Sequence, residues 1–203
     1  MGDYTDAMDA LTEIEQTQDL LERALKLAAV VTGLFADEGW KLVVVGGSAI
    51  EFYTEGAYMS GDIDFCRLTP KPIPLRKTRE IMGRLGAKGG PRSWQVAGLY
   101  VDLFGLLENE AQTPCRKIET PLGIVALVPA ELVLVERVLL AFYPSPDEEA
   151  AAVARKMLAV CVSGKTPVDW PEVKRLASLP AFDIADELER LRMEVAHELG
   201  ISD

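Results

Sequence analysis

The feature that most constrains this chain is a buried-strand pattern that turns sharply and is followed by two spaced carboxylates. Lys41-Leu42-Val43-Val44-Val45 is short, apolar and rich in β-branched residues. Such a run reads as a strand buried on both faces. Gly46-Gly47-Ser48 then turns the chain into a short helix, Ala49 to Thr54, and thirteen residues separate Ser48 from Asp62-Ile63-Asp64-Phe65. Residues 62–68 read as a second strand. Along a strand, residues i and i+2 point to the same side with Cα atoms roughly 6.5–7 Å apart. Asp62 and Asp64 therefore aim two carboxylates at one place, while Ile63 and Phe65 turn into a core. Tyr100-Val101-Asp102-Leu103-Phe104 sets a third carboxylate among apolar neighbours on a later strand.

Clustered carboxylates repel one another, and a divalent cation removes that repulsion. Hard oxygen donors suit Mg²⁺ or Mn²⁺. If the two strands are neighbours, Asp102 completes a site for two ions, which typically lie about 3.5–4 Å apart. Gly46 and Gly47 let the backbone come close to a ligand, and the amides opening the next helix favour phosphate. The Ser48 hydroxyl adds a donor or caps that helix.

The rest of the chain frames this core. Leu20, Leu21, Ala24, Leu25, Ala28, Val31 and Phe35 recur at helical spacing, with Thr17 or Asp19 as a start and Gly39 as a stop. Pro70, Pro72 and Pro74 precede a helix from about Leu75 to Leu85. Gly86, Gly89, Gly90 and Pro91 form a turn-rich connection. Trp94 to Val96 and Leu99 to Leu107 read as a hairpin pair, and a further strand or two fit Arg116 to Val128. Beyond Pro129 the periodicity is helical. Asp147 caps a helix through about Val162, Asp169-Trp170-Pro171 opens another, and a last helix runs from about Ile184 to Leu199. The fold class expected is α+β, with a small mixed sheet flanked by helices. Residues 1–127 form its core, including an N-terminal helix, and residues 128–203 a helical C-terminal segment.

Charge and composition narrow the function. The net charge of −11 is concentrated at the ends: residues 1–40 carry −7 and residues 181–203 carry −5, against +1 for the middle. The whole molecule thus repels phosphate at long range, which argues against a free-standing DNA-binding surface. Between Arg67 and Arg92, eight cations face one acid, Glu80. They are either a solvated helix face or electrostatic help for a polyphosphate or nucleic-acid substrate. No apolar run approaches the ~20 residues a bilayer-spanning helix needs. The acidic, polar start is unlike a secretory leader, so a cytoplasmic location is expected. Cys66, Cys115 and Cys161 share no metal-ligand or redox spacing and read as buried thiols. The one histidine, His197, lies in the acidic last helix, which leaves serine or cysteine hydrolase chemistry without a partner. Gly164-Lys165-Thr166 lacks the earlier glycine and strand of a Walker loop.

On these residues the chain resembles the DNA polymerase β-like nucleotidyltransferase superfamily. Val45-Gly46-Gly47-Ser48 and Gly61-Asp62-Ile63-Asp64-Phe65 look like its signature, and Asp102 matches its third carboxylate. Phe52-Tyr53, Gly56-Ala57-Tyr58, Pro129-Ala130-Glu131-Leu132 through Arg137 and Val168-Asp169-Trp170 look closer still to short, uncharacterised prokaryotic members. Some members of that broad group act in toxin–antitoxin or phage-defence systems. The resemblance covers about residues 40–175. It implies a nucleotidyltransferase fold and Mg²⁺-dependent (or Mn²⁺-dependent) transfer of a nucleoside monophosphate, from a nucleoside triphosphate such as ATP to an acceptor hydroxyl on RNA, protein or a small molecule. Asp62, Asp64 and Asp102 would be the catalytic metal ligands. Gly46, Gly47 and Ser48 would bind the nucleotide, with Arg137 either touching phosphate or pairing with a nearby acid such as Glu136. Arg92 and Trp94 are candidates for contact with base or acceptor, although Trp94 fits a core position better. The alternative is a non-catalytic partner protein of the same fold, antitoxin-like or regulatory, binding another protein or a second copy of itself.

Overall fold

A computed structural model describes residues 2–201, with side chains from Ala7 onward. The chain divides into two compact units. The first comprises Met1–Phe52, Met59–Glu108 and Cys115–Leu127, and the second comprises Tyr53–Tyr58, Asn109–Pro114 and Val128–Asp203.

Among the described residues, all the strands lie in the first unit. In chain order its elements are α1 (Gly2–Gln16), α2 (Leu20–Asp37), β1 (Leu42–Val44), α3 (Gly46–Tyr53, whose last residue joins the second unit), β2 (Asp62–Arg67), α4 (Leu75–Arg84), β3 (Lys88–Gly89), β4 (Ser93–Val96), β5 (Leu99–Leu106), β6 (Arg116–Thr120) and β7 (Gly123–Leu127). They build one seven-stranded mixed sheet of order β3-β4-β5-β2-β1-β7-β6. β2 runs parallel to β5 and antiparallel to β1, and β1 runs parallel to β7. The β-branched run of β1 is buried throughout, as a central strand requires. The core gathers Phe65, Ile63, Val43, Val101, Leu127, Leu27 and Phe35, all almost fully buried. Helix α2 packs on β1, β6 and β7. It opens where the Asp19 carboxylate accepts the Glu22 N–H at 2.8 Å.

Several local features depart from the sequence expectations. Residues 2–16 form helix α1, which packs on α2 through the buried Ala7 and Ile14. Its acidic character hid this weak amphipathic stripe. Lys26 on α2 answers that acidity, reaching Glu13 of α1 at 3.0 Å and Glu22 at 2.8 Å. Helix α3 begins at Gly46 rather than Ala49, so Gly46-Gly47-Ser48 is its first turn. The turn-rich connection contains a two-residue strand, β3. Much of the basic stretch has local partners: Glu38 accepts from Lys77 at 3.1 Å and from Arg84 at 2.7 Å. Lys71 lies over the Trp40 ring, and the Arg67 guanidinium donates to the Thr69 and Pro70 carbonyls. Cys66 and Cys115 are only half-buried. Cys161 is buried, and that burial pushes its thiol up to about 12.

The second unit holds α5 (Ala130–Phe142), α6 (Glu148–Val162), α7 (Trp170–Ala177) and α8 (Ala185–Glu198). Asp147 and Asp169 cap α6 and α7 as their positions suggested. The excursion 109–114 is tied to α5 and α7 by two buried glutamates. Glu131 accepts from the Thr113 hydroxyl and the Asp169 N–H, and Glu172 accepts from the Gln112 N–H at 2.6 Å. Arg175 donates to Glu172 and also to the Glu110 carbonyl. The Arg175 hydrogen bonds lower the Glu172 carboxyl to about 2, with the Gln112 N–H adding to the effect. Among the described residues, no helix is long and apolar enough to cross a membrane.

Two stability measurements follow. Phe65→Ala removes a fully buried ring beside the strand carboxylates and is expected to cost about 3–5 kcal/mol in urea unfolding. Glu172 has a depressed folded-state pKa, so its contribution is fully present above the usual glutamate value of 4.5 and is lost as pH falls toward about 2. The wild-type unfolding midpoint should therefore fall more steeply across that window than the midpoint of Glu172→Gln.

Candidate metal centre

β2 and β5 place the three aspartates. Their parallel register sets Asp64 beside Asp102 and Asp62 beside Tyr100. Alternation does the rest: Ile63, Phe65 and Val101 enter the core, at 2 %, 0 % and 0 % exposure, while the aspartates share the opposite face. One carboxylate oxygen from each of Asp62, Asp64 and Asp102 lies within 4.8 Å of the others. Asp102 Oδ1 is buried and, among the described residues, has no hydrogen-bond partner. A buried carboxylate oxygen without a donor is costly, and a cation bound among these oxygens would relieve that cost. The donor set is all carboxylate oxygen, which fits Mg²⁺ or Mn²⁺.

The start of α3 lies against Asp64. Gly46 adopts φ +61°, and a Cβ there would sit 2.7 Å from Asp64 Oδ2. Only glycine meets both conditions. Ser48 is 1 % exposed. Its hydroxyl donates to the Val45 carbonyl at 2.9 Å and accepts the Asp64 N–H at 3.0 Å. The side chain thus ties the start of α3 to the backbone of Asp64. The amides of Gly46, Gly47 and Ser48 open the helix and have no carbonyl one turn earlier to satisfy them. On the other flank, the Ser60 hydroxyl donates to Asp62 Oδ1 at 3.0 Å and the Ser60 N–H donates to Glu51 Oε2 at 2.7 Å. Burial pushes the Glu51 carboxyl up, and the Ser60 N–H partly offsets that.

The remaining candidates are Trp94, Arg92 and Arg137. Trp94 pairs with Val101 on the core face of β4 and is 4 % exposed, so it is a core residue and not a base contact. Arg92 is exposed and stacks over the Phe104 ring at 3.9 Å. Arg137 is half-buried on α5 in the second unit. Sequence reasoning passed over Glu51 and Ser60. The legible signal was an acid in the middle of the apolar run Ala49-Ile50-Glu51-Phe52-Tyr53.

No known family profile matches the chain, and no curated protein sequence matches it. Among solved structures, an antigenic nucleotidyltransferase-like protein from Paracoccidioides brasiliensis aligns with a TM-score of 0.54 at 12 % identity, covering 85 % of this chain and 94 % of that one. The fold is that of nucleotidyltransferases. Two structures of the antibiotic-resistance factor ANT(2'')-Ia align more loosely. The solution structure has a TM-score of 0.44, and the crystal structure with adenylyl-2''-tobramycin has 0.43, both at 14 % identity. They cover 84 % and 83 % of this chain and 90 % and 94 % of theirs.

Gly46→Ala offers a direct test of the close approach. The added methyl must displace Asp64, so Mn²⁺ affinity is expected to fall about tenfold or more, the scale on which disturbed ligand support weakens metal binding. Gly33→Ala, where a Cβ meets nothing within 4 Å in the middle of α2, serves as the control and should leave Mn²⁺ affinity unchanged.

Proposed function

We propose that the chain is a metal-dependent nucleotidyltransferase, which moves a nucleoside monophosphate from a nucleoside triphosphate to an acceptor hydroxyl. The observation that carries this reading is the convergence of Asp62, Asp64 and Asp102, with a buried, unpartnered oxygen on Asp102. A nucleotidyltransferase fold has use for such a cluster, whereas a scaffold gains nothing from three repelling carboxylates. In this reading residues 1–127 are the core and residues 128–203 a helical appendage.

Asp62 and Asp64 would hold Mg²⁺ or Mn²⁺, and Asp102 would be a ligand to a second ion. Bound there, the cation would neutralise phosphate charge and lower the pKa of the acceptor hydroxyl. The amides of Gly46, Gly47 and Ser48 receive the triphosphate at the start of α3. The acceptor oxygen forms a bond to the α-phosphorus as the bond to the bridging oxygen breaks, and pyrophosphate leaves. Asp102 takes the acceptor proton. Positioning and charge neutralisation supply most of the rate, as in phosphoryl transfer generally. The acceptor is a hydroxyl of RNA, protein or a small molecule.

Calorimetric titration of ATP, GTP, CTP and UTP in the presence of Mg²⁺ tests this. Metal-dependent binding to wild type that disappears in Asp62→Asn/Asp64→Asn is the expected result, and the preferred nucleotide then directs an acceptor screen. Once an acceptor is found, Asp102→Asn should slow transfer by about 10²–10⁴-fold, the usual range for a lost general base. No metal-dependent binding by wild type at millimolar nucleotide would overturn the reading in favour of a non-catalytic partner protein.

A further inference from the structure

We infer that Glu51 and Ser60 are positioning residues that hold Asp62 in its metal-binding geometry. This rests on the reading of the aspartate cluster as a metal site.

Glu51 is the only charged residue of α3 and is 3 % exposed. Burying a carboxyl among apolar side chains is costly unless its hydrogen bonds are specific. An alanine or leucine would serve a merely structural helix better. What Glu51 does instead is receive the Ser60 N–H at 2.7 Å, nine residues further along the chain. That bond fixes the approach to β2 just before the strand begins at Asp62. Ser60 then turns its hydroxyl onto Asp62 Oδ1 at 3.0 Å. Glu51, Met59, Ser60 and Asp62 border one small cavity of about 60 Å³.

A carboxylate on the first residue of a strand otherwise turns freely about its side-chain bonds. A hydroxyl donated to one of its oxygens removes that freedom before a cation arrives. Hydrogen bonds of this kind to metal ligands are typically worth 10–100-fold in affinity. Helix α3 therefore supports both members of the Asp-x-Asp pair. Ser48 accepts the Asp64 N–H directly, and Glu51, three residues further on, reaches Asp62 through Ser60.

The test is a Mn²⁺ titration of the full chain as wild type, Glu51→Ala, Glu51→Gln, Ser60→Ala and Ser60→Thr, with thermal unfolding of each variant recorded alongside. Ser60→Ala keeps the backbone N–H and removes only the hydroxyl, so it isolates the contact with Asp62. Ser60→Ala and Glu51→Ala are expected to raise the Mn²⁺ Kd about 10–100-fold. Ser60→Thr keeps a hydroxyl and Glu51→Gln keeps an oxygen acceptor, so both are expected to stay within about threefold of wild type. If Glu51→Ala does not fold, the Ser60 pair decides alone. Equal Mn²⁺ affinity in wild type and Ser60→Ala overturns the positioning role and leaves the metal site standing. No Mn²⁺ binding by wild type overturns the metal site, and the positioning role with it.

Discussion

The parallel ladder between β2 and β5 is the interaction on which the site depends. It sets Asp64 opposite Asp102 and so joins carboxylates that the sequence holds far apart. Because side chains alternate, the same register that raises the aspartates on one face drives Ile63, Phe65, Val101 and Leu103 toward the other. A one-residue slip would bury the carboxylates and expose the core. The hydrophobic core and the polar cluster are thus two sides of a single constraint. The apolar side of β2 keeps the acidic side in place against its own repulsion.

Helix α3 adds precision to that arrangement. The ladder brings the carboxylates together, but it does not fix how each one turns. A glycine at Gly46 lets the helix start against Asp64, and the buried hydroxyl of Ser48 ties the Asp64 backbone to that start. The price is a polar, conformationally demanding first turn in an otherwise apolar helix. Such local departures from ideal sequence are expected where a structure serves a site.

Much of this was legible from sequence because the signals were strong and local. The β-branched run before Gly46, the alternation around Asp62 and Asp64, and the capping aspartates Asp19, Asp147 and Asp169 each carry a short-range physical meaning. The fold class followed from their order along the chain. Helix α1 was missed because its acidic face dominates its composition and its packing stripe rests on a few small or medium residues such as Ala7 and Ile14. The pairing of Lys77 and Arg84 with Glu38 joins residues distant in sequence, so the basic stretch looked freer than it is. Serine after paired glycines suggests either a ligand donor or a helix cap. The hydrogen bond that uses its proton becomes visible only when Val45 and Asp64 are placed around it. Ser60 stayed silent for the same reason, and Glu51 showed only as an acid within an apolar run, its partner being set by a contact and not by a pattern.

The two short excursions of the chain, 53–58 and 109–114, join the second compact unit although the residues on either side of each belong to the first. Tyr53 donates its hydroxyl to the Val128 carbonyl at 2.7 Å and receives the Thr166 hydroxyl on its own carbonyl at 2.9 Å, while Glu131 and Glu172 hold the second excursion. The units are therefore threaded through each other in sequence and do not follow one another as beads. A fragment ending at residue 127 would retain both excursions but strand their polar groups, so shortening the chain there is not a neutral way to isolate the sheet. Genetic separation of the two units would call for a rearranged chain order or redesigned excursions in place of a single stop codon.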